Sequence, residues 1–317
     1  MRGGEAALGV EGKLKALWAA RVGGRLNPAM RGYVLVAAGT ASLCAPYVIS
    51  KVAMREINSE SFNVVWFGFG FLITLAYLGL RGHAQELRIP KKHWKQVALL
   101  ALVNSVSMGA FFKAVELIDP VLVSFFFRLE TVSSILVGVF LLGERLGARE
   151  LGGMILVLGG AGIITYASGQ LVLTGMFIVF FSAVCYTMGW LVARSCMAGG
   201  CSPTALAGFR AAGACVFLAA YVLVLGRWQT PNLHVLLLTL GGAFFGPFLA
   251  NVLNYRALSL IGVARMSILR NLQPLFLIPI AYLFLGTVPG LRQLVGGAVV
   301  LGGVVLMVGA RMRPVRV

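Results

Sequence analysis

Charged residues are scarce in this chain, and acidic residues are scarcer still. Only 12% of the 317 residues are charged, and just 10 residues are Asp or Glu. A soluble globular domain carries about 25% charged residues. The hydrophobic fraction is 59% and the mean hydropathy is +0.90. This composition excludes a water-soluble fold, because too few polar side chains are present to cover the surface.

Short segments of alternating polarity are also absent, which argues against a transmembrane β-barrel. The apolar runs are long and continuous. Helices are the element that satisfies its own backbone hydrogen bonds inside hydrocarbon. The predicted fold class is therefore an all-α integral membrane protein.

Catalytic, metal-binding and cofactor-binding motifs are missing. The sequence contains no HExxH, no paired aspartates, no Ser–His constellation and no ATP-binding loop, so no enzyme activity, metal or cofactor is expected. The five cysteines form no CxxC pair, and we interpret them as reduced packing residues. A carrier of this kind would draw its energy from a gradient or from an exchanged solute.

Ten apolar runs are long enough to cross a bilayer, which takes about 20 helical residues. Residues 151–193 carry no charge, and Ser168–Gly169–Gln170 is the only polar break there, so two spans joined by a tight turn are predicted. The ten predicted spans are residues 32–51, 61–80, 94–113, 120–142, 150–167, 171–193, 203–226, 233–255, 261–285 and 291–311.

Lys and Arg are concentrated on one side of these spans. With the N-terminus inside, the inner segments hold 18 of them and the outer segments hold 5. This asymmetry predicts an even number of spans with both termini in the cytoplasm. Richness in Gly, Ala, Val and Arg indicates a bacterial inner membrane. Residues 1–31 are predicted to be a cytoplasmic segment, either an interfacial amphipathic helix or a disordered tail, and residues 312–317 a basic cytoplasmic tail. The bilayer accounts for the net charge of +17, so no nucleic-acid partner is expected.

The chain aligns with itself at a shift of 143 residues. Gly153 falls on Gly296, and Gly159-Gly160 falls on Gly302-Gly303. The two copies, residues 32–167 and 168–311, hold five spans each. Because five is odd, the second copy enters the membrane inverted relative to the first. Inverted repeats around a central cavity are the architecture of secondary transporters.

Several short motifs lie at characteristic places in this repeat. Asp119-Pro120 leads into a span that ends Phe140-Leu-Leu-Gly-Glu-Arg-Leu146, followed by Leu151-Gly152-Gly153. Ser202-Pro203 precedes a span that contains Phe209-Arg210-Ala211. Over about residues 32–311 the chain thus resembles the EamA-type unit of the drug/metabolite transporter superfamily. The resemblance implies a ten-helix carrier of small metabolites, with a central cavity lined partly by helices four and nine.

The two halves depart from each other in places. The second half reads Gly286-Thr287-Val288-Pro289 where the first has Gly-Glu-Arg-Leu, and Phe67 stands where Arg210 would have its counterpart. A strictly symmetric mechanism is therefore not expected.

Ionisable side chains deep in a membrane survive where they face a cavity or a partner. Five such residues are predicted: Arg128, Glu130, Arg210, Arg265 and Arg270. Under the 143-residue shift, Arg128 aligns with Asn271 and Glu130 aligns with Gln273. Polar residues therefore recur at the same depths of the same helix in both halves.

Helical geometry divides these candidates. Arg270 and Gln273 are three residues apart and share a helix face, so we expect them to line the cavity opposite Glu130. Residues two apart point about 200° apart, so Arg128 is expected at the rim or paired elsewhere. Arg265 is close enough to the interface to snorkel.

Three residues are expected to pack between helices or have two possible roles. Arg210 either lines the cavity or anchors helix packing. Tyr47 and Trp190 are interpreted as packing residues rather than cavity residues.

The predicted function is secondary transport of a small anionic or zwitterionic metabolite by an exporter or exchanger. The substrate-binding candidates are Arg270, Gln273, Glu130, Arg128, Asn271 and Arg210, with Glu130 also a candidate proton site. Guanidinium groups match carboxylate and phosphate. The alternatives are a flippase for a lipid-linked phosphate, a non-transporting scaffold and a membrane enzyme. The protein is expected to be a monomer or a homodimer packed through its glycine-rich helices.

Overall fold

The structure is a computed structural model that describes residues 28–80, 89–143, 146–168 and 170–311. Most of the predicted N-terminal segment and the predicted basic tail 312–317 lie outside the described residues, as do the side chains of residues 262–268. Within the described residues, nine helices are long and apolar enough to cross a membrane, and Gln273–Leu285 is a shorter apolar helix. The predicted ten-helix membrane fold is confirmed.

The first half consists of five spans, two of which are interrupted. They are α1 (Pro28–Ser42) with α2 (Cys44–Ala53), then α3 (Ser59–Leu80), α4 (Trp94–Leu117), α5 (Pro120–Phe126) with α6 (Leu129–Leu142), and α7 (Ala148–Ser168).

The second half repeats this order. It consists of α8 (Gln170–Ala198), α9 (Pro203–Val224), α10 (Leu233–Ala243), a π-helical segment (Phe244–Ala250), α11 (Asn251–Arg270), α12 (Gln273–Leu285) and α13 (Leu291–Arg311). Helix α7 ends at Ser168 and α8 begins at Gln170, on either side of the predicted turn, whose Gly169 lies outside the described residues.

Helix packing follows the repeat. The most extensive contacts join α7 with α13, α4 with α8, α3 with α9, and α1 with α11. Exchanging the two halves maps the first and third of these pairs onto themselves and exchanges the other two. The contact pattern therefore has the pseudo-twofold symmetry that inverted repeats predict.

Glycine allows the fifth helix of each half to approach its counterpart closely. A Cβ at Gly160 would lie 2.6 Å from the Gly296 carbonyl oxygen, and a Cβ at Gly303 would lie 2.6 Å from the Gly153 carbonyl oxygen. The earlier residue of α7 meets the later residue of α13, so the two helices run antiparallel. These four glycines pack against each other between α7 and α13 of the same chain. A homodimer through the glycine-rich helices stays a prediction.

Span four is broken in both halves at equivalent positions. The first break lies at Phe127–Arg128, between α5 and α6, and the second at Asn271–Leu272, between α11 and α12. The 143-residue shift places Arg128 on Asn271. Beyond each break the helix ends at a left-handed glycine, Gly143 (φ 67°) or Gly286 (φ 68°), a conformation that glycine adopts without steric cost.

One predicted boundary is wrong. Spans eight and nine were separated at residues 256–260, whereas helical structure runs without interruption from Leu233 to Arg270. In the first half, the Asp119 side chain accepts a hydrogen bond from the Val121 amide and Pro120 begins the new helix. Gly262 and Val263 stand at the shifted positions and offer neither the cap nor the proline.

The loops 54–58, 118–119 and 225–232 meet at one end of the bundle, here called the distal end. The Lys51 ammonium donates to the carbonyl oxygens of Val115, Glu116 and Ile118 at 2.8, 2.9 and 3.1 Å. The Glu56 carboxylate pairs with Asn232 and His234, at 2.7 Å each. These hydrogen bonds lower the pKa of Glu56. The Lys51 contacts lie within the first half, and the Glu56 contacts join the two halves at the distal end.

Candidate functional site

A central cavity of about 80 Å³ lies between the two halves. A single water needs about 10–15 Å³ measured in this way, so the space holds several waters or a small solute. Its apolar walls are largely aromatic. They include Trp66, Phe67, Phe111, Phe112 and Phe127, with Met108 and Pro247. The polar side chains that line it are Tyr47, Tyr186, Arg210, Asn251, Asn254, Arg270 and Gln273.

Arg128 joins the two broken helices beside this cavity. It is 2% exposed, and its Nε donates to the Ser124 carbonyl oxygen one turn earlier, at 3.1 Å. Its two terminal nitrogens cross to the second half. They donate to the Arg270 carbonyl oxygen (2.7 Å), Asn271 Oδ1 (3.1 Å) and Gln273 Oε1 (2.9 Å). The carbonyl oxygen of Arg270 lies next to the break at Asn271–Leu272, and the Arg128 guanidinium supplies it with a hydrogen-bond donor.

Arg270 is held among one carboxylate and two aromatic rings. Its Nη1 lies 3.7 Å from Glu130 Oε1. Its guanidinium carbon lies 5.8 Å from the centre of the Tyr186 ring and 5.4 Å from that of the Trp190 ring. Aromatic faces attract cations, so the positive charge of Arg270 is partly balanced before any ligand binds. Trp190 is thus part of the site, contrary to the expectation of simple packing.

Arg210 is the least satisfied cation of the site. It is 4% exposed, and its Nη1 donates to Asn104 Oδ1. Its Nε and Nη2 are buried without a hydrogen-bond partner in the described part of the chain. A buried donor without a hydrogen-bond partner lowers the stability of the fold. An acceptor that entered the cavity could accept hydrogen bonds from these two nitrogens.

Three further polar atoms near Arg210 lack protein partners among the described residues. They are Nδ2 of Asn104, Oδ1 of Asn254 and Nε2 of Gln273. Asn254 and Gln273 line the cavity, and Asn104 lines a side pocket of about 10 Å³ that also reaches Arg210 and Trp190. The site thus presents free donors together with at least one free acceptor.

Sequence reasoning missed three of the asparagines at this site. The π-helical segment carries Pro247, whose missing N–H loosens the helix, and π-helical turns occur frequently at functional sites. The Asn251 side chain donates to the Gly246 and Pro247 carbonyl oxygens at 3.1 and 3.2 Å. The available signal was a set of isolated asparagines, Asn104, Asn251 and Asn254, within otherwise apolar runs. Tyr47, expected to be a packing residue, also lines the cavity.

The structure divides the six predicted binding residues into two groups. Arg210, Arg270 and Gln273 line the central cavity. Arg128 and Asn271 hold the broken helices together, and Glu130 approaches Arg270 without lining the cavity. The side chain of Arg265 lies outside the described residues. Within the part of the chain that is described, no cluster of three His, Cys, Asp or Glu residues could hold a metal.

Comparison with known proteins agrees with the repeat. The sequence model of the EamA-like transporter family matches residues 30–166 and again residues 173–309. The two matches are offset by 143 residues at both ends, which is the shift found in the sequence.

The chain belongs to the EamA-like transporter family. A curated relative from Sinorhizobium sp, described as an uncharacterized transporter in the cobO 3′ region, is 29% identical over 130 residues. The alignment covers 41% of this chain and 91% of the relative. A solved crystal structure covers 89% of this chain and 99% of its own, with 16% identity and a TM-score of 0.65, which shows a shared fold.

The transporter is therefore a multi-pass membrane protein of the drug/metabolite type, with its polar site between two inverted five-helix repeats. Its broken fourth helices meet at that site. This is the arrangement in which unwound backbone and helix ends line a transport pathway.

Proposed function

We propose that this transporter moves a small organic anion or zwitterion through the central cavity by alternating access, with Arg210 as the principal anion-binding residue. The observation that carries the proposal is the pair of buried, unpartnered nitrogens on Arg210. A carboxylate or a phosphoryl group accepts two parallel hydrogen bonds from such a guanidinium edge.

The charge balance of the site supports an anionic group on the substrate. Arg128, Arg210 and Arg270 bring three positive charges, and Glu130 is the one carboxylate paired with any of them among the described residues. Arg128 is engaged with four acceptors of the protein. A bound anion would therefore find Arg210 free and Arg270 partly neutralised.

The unpartnered Oδ1 of Asn254 supports a zwitterion in particular. An ammonium group could donate to this oxygen while a carboxylate binds Arg210. The aromatic walls, which include Phe67 and Phe111, suit an organic portion that is uncharged. An amino acid-like or phosphorylated metabolite meets these requirements.

Glu130 is the proposed coupling residue. Its carboxylate lies 3.7 Å from Arg270 and would compete with a substrate anion for that guanidinium. Protonation of Glu130 would release Arg270, so binding of an anion and binding of a proton would favour each other. Export or exchange across a bacterial inner membrane, with both termini cytoplasmic, fits this scheme.

The test is counterflow in proteoliposomes preloaded with amino acids, organic acids and phosphorylated sugars. The wild type is compared with Arg210→Gln, Arg270→Gln and, as a matched control, the exposed Arg292→Gln. We expect saturable exchange of one class, a fall of about 100-fold in kcat/KM for Arg210→Gln, a smaller fall for Arg270→Gln and no change for Arg292→Gln. A lost charge-assisted contact of about 2–3 kcal/mol corresponds to that effect.

Two results would overturn the proposal. Equal exchange by Arg210→Gln and wild type would show that Arg210 is structural. No exchange of any soluble solute by folded wild-type protein, with translocation of a lipid-linked phosphate instead, would establish a flippase.

A further inference from the structure

A second cavity, larger than the central one, opens on the membrane-facing side of the bundle. It has a volume of about 770 Å³ and lies between α3, α4, α8 and α9 near the distal end. We call it the lateral groove. It falls in the range of about 300–1,000 Å³ that is typical of ligand pockets.

Helix α4 separates the lateral groove from the central cavity. Met108, Phe111 and Phe112 line the central cavity, whereas Val106 and Gly109 line the groove. A Cβ at Gly109 would make an ordinary van der Waals contact with Leu218, at 3.9 Å, so close helix packing does not require a glycine at this position of the groove.

The walls of the groove are apolar and exposed. Val106, Phe177, Phe181 and Tyr221 have exposed fractions of 42%, 60%, 53% and 52%. All four lie in membrane-spanning helices, so the groove is open to lipid. An occupant with hydrocarbon chains is what these walls accept.

The distal end of the groove is ionic. Arg227 pairs with Glu60 at 3.3 Å, and Lys113 pairs with Glu116 at 3.0 Å. Glu60, Lys113 and Arg227 all line the groove. Both cations are substantially exposed, with side-chain exposures of 58% for Arg227 and 43% for Lys113. The end of the groove therefore presents positive and negative groups side by side.

One turn deeper, an acceptor has no partner. Asn63 lines the groove and is 1% exposed, and its Nδ2 donates to the Ser59 carbonyl oxygen at 2.9 Å. This bond fixes the orientation of the amide. Its Oδ1 is buried with no hydrogen-bond partner among the described residues. A buried acceptor in this position is complementary to an N–H donor on a ligand.

We propose that the lateral groove binds one phospholipid with a zwitterionic phosphoethanolamine headgroup. The phosphate lies against Lys113 and Arg227, and the primary ammonium donates to Glu60 and to Asn63 Oδ1. The acyl chains lie along the apolar walls. This site is distinct from the proposed solute site, and the proposal does not depend on the solute.

The test is native mass spectrometry of the full chain in detergent, titrated with phosphatidylethanolamine, phosphatidylcholine or phosphatidylglycerol. We expect one tightly bound phosphatidylethanolamine and about fivefold weaker binding of phosphatidylcholine, whose trimethylated nitrogen has no N–H to donate. Asn63→Leu should remove most of this preference while phospholipid still binds.

Groove-filling variants provide the second arm. Gly109→Phe and Val106→Trp should each abolish the bound lipid, whereas Ile155→Phe, at an exposed position of α7, should not. Two groove-filling variants are used so that the test still stands if one of them does not fold. Equal binding of ethanolamine and choline lipids, or unchanged lipid stoichiometry in both groove-filling variants, would overturn the proposal. Cross-links between copies across the groove would also overturn it and would identify a second protein chain as the occupant.

Discussion

Arg128 and Arg270 meet at the broken helices, yet the two side chains have different surroundings. The guanidinium of Arg128 is surrounded by protein acceptors, one of which is the Arg270 carbonyl oxygen. The guanidinium of Arg270 instead meets Glu130 and two aromatic rings, and its Nε remains unpartnered among the described residues. Arg128 therefore links the two halves, and in the proposed function Arg270 is the one of the two arginines that contacts a ligand.

Replacing Arg128 with Met should destabilise the fold. Three hydrogen bonds to the second half would be lost, and interhelical hydrogen bonds in membrane proteins average about 0.6 kcal/mol. We therefore expect a loss of about 2 kcal/mol in the free energy of unfolding, measured by thermal denaturation in detergent. The exposed Arg292→Met is the control. An unchanged melting temperature in Arg128→Met would contradict the assigned role.

At the scale of helices, the two halves break and end their fourth helices in the same way where the sequence repeats. They begin those helices differently where the sequence does not repeat. Both fourth helices break at equivalent positions and end at a left-handed glycine. The entry into the first of them is set by Asp119 and Pro120, which have no counterpart. The continuous helix from α10 through α11 follows from that local difference.

Neighbouring glycines of α7 provide a test of the helix contact. A side chain at Gly160 would collide with the backbone of α13, while a Cβ at Gly159 meets nothing within 4 Å. Gly160→Leu should lower the free energy of unfolding by about 3 kcal/mol, because the helices must separate. Gly159→Leu should change it by less than about 0.5 kcal/mol. Similar melting temperatures for the two variants would show that α7 and α13 are not in close contact.

For the whole molecule, orientation in the membrane decides which loops face the cytoplasm. The charge asymmetry predicts that the termini lie inside and the loop 225–232 outside. A fluorescent protein fused after Val317 should therefore fluoresce in bacteria, and alkaline phosphatase inserted after Thr230 should be active. The opposite pattern would mean that the transporter is inserted upside down relative to this prediction.

The polar site is formed by both repeats of the molecule. Neither half contains the complete site, since Asn104 belongs to the first repeat and Arg210, Asn254 and Gln273 belong to the second. A substrate bound at the proposed site would contact both repeats at once. Relative movement of the halves would then expose it to either side, as expected for a carrier of this architecture.

The sequence alone determined that the chain spans a membrane with ten helices, that it is a duplication at 143 residues, and that arginines lie deep within it. These properties depend on composition, run length and spacing, which are local quantities. Only the tertiary structure decided that Arg210 is less satisfied than Arg270, that Arg128 links two helices, and that three asparagines lie at the site. In lipid the outward and inward faces of a helix are both apolar, so helical periodicity does not reveal which side chains face the cavity. Helix packing decides that, and it joins residues more than a hundred positions apart.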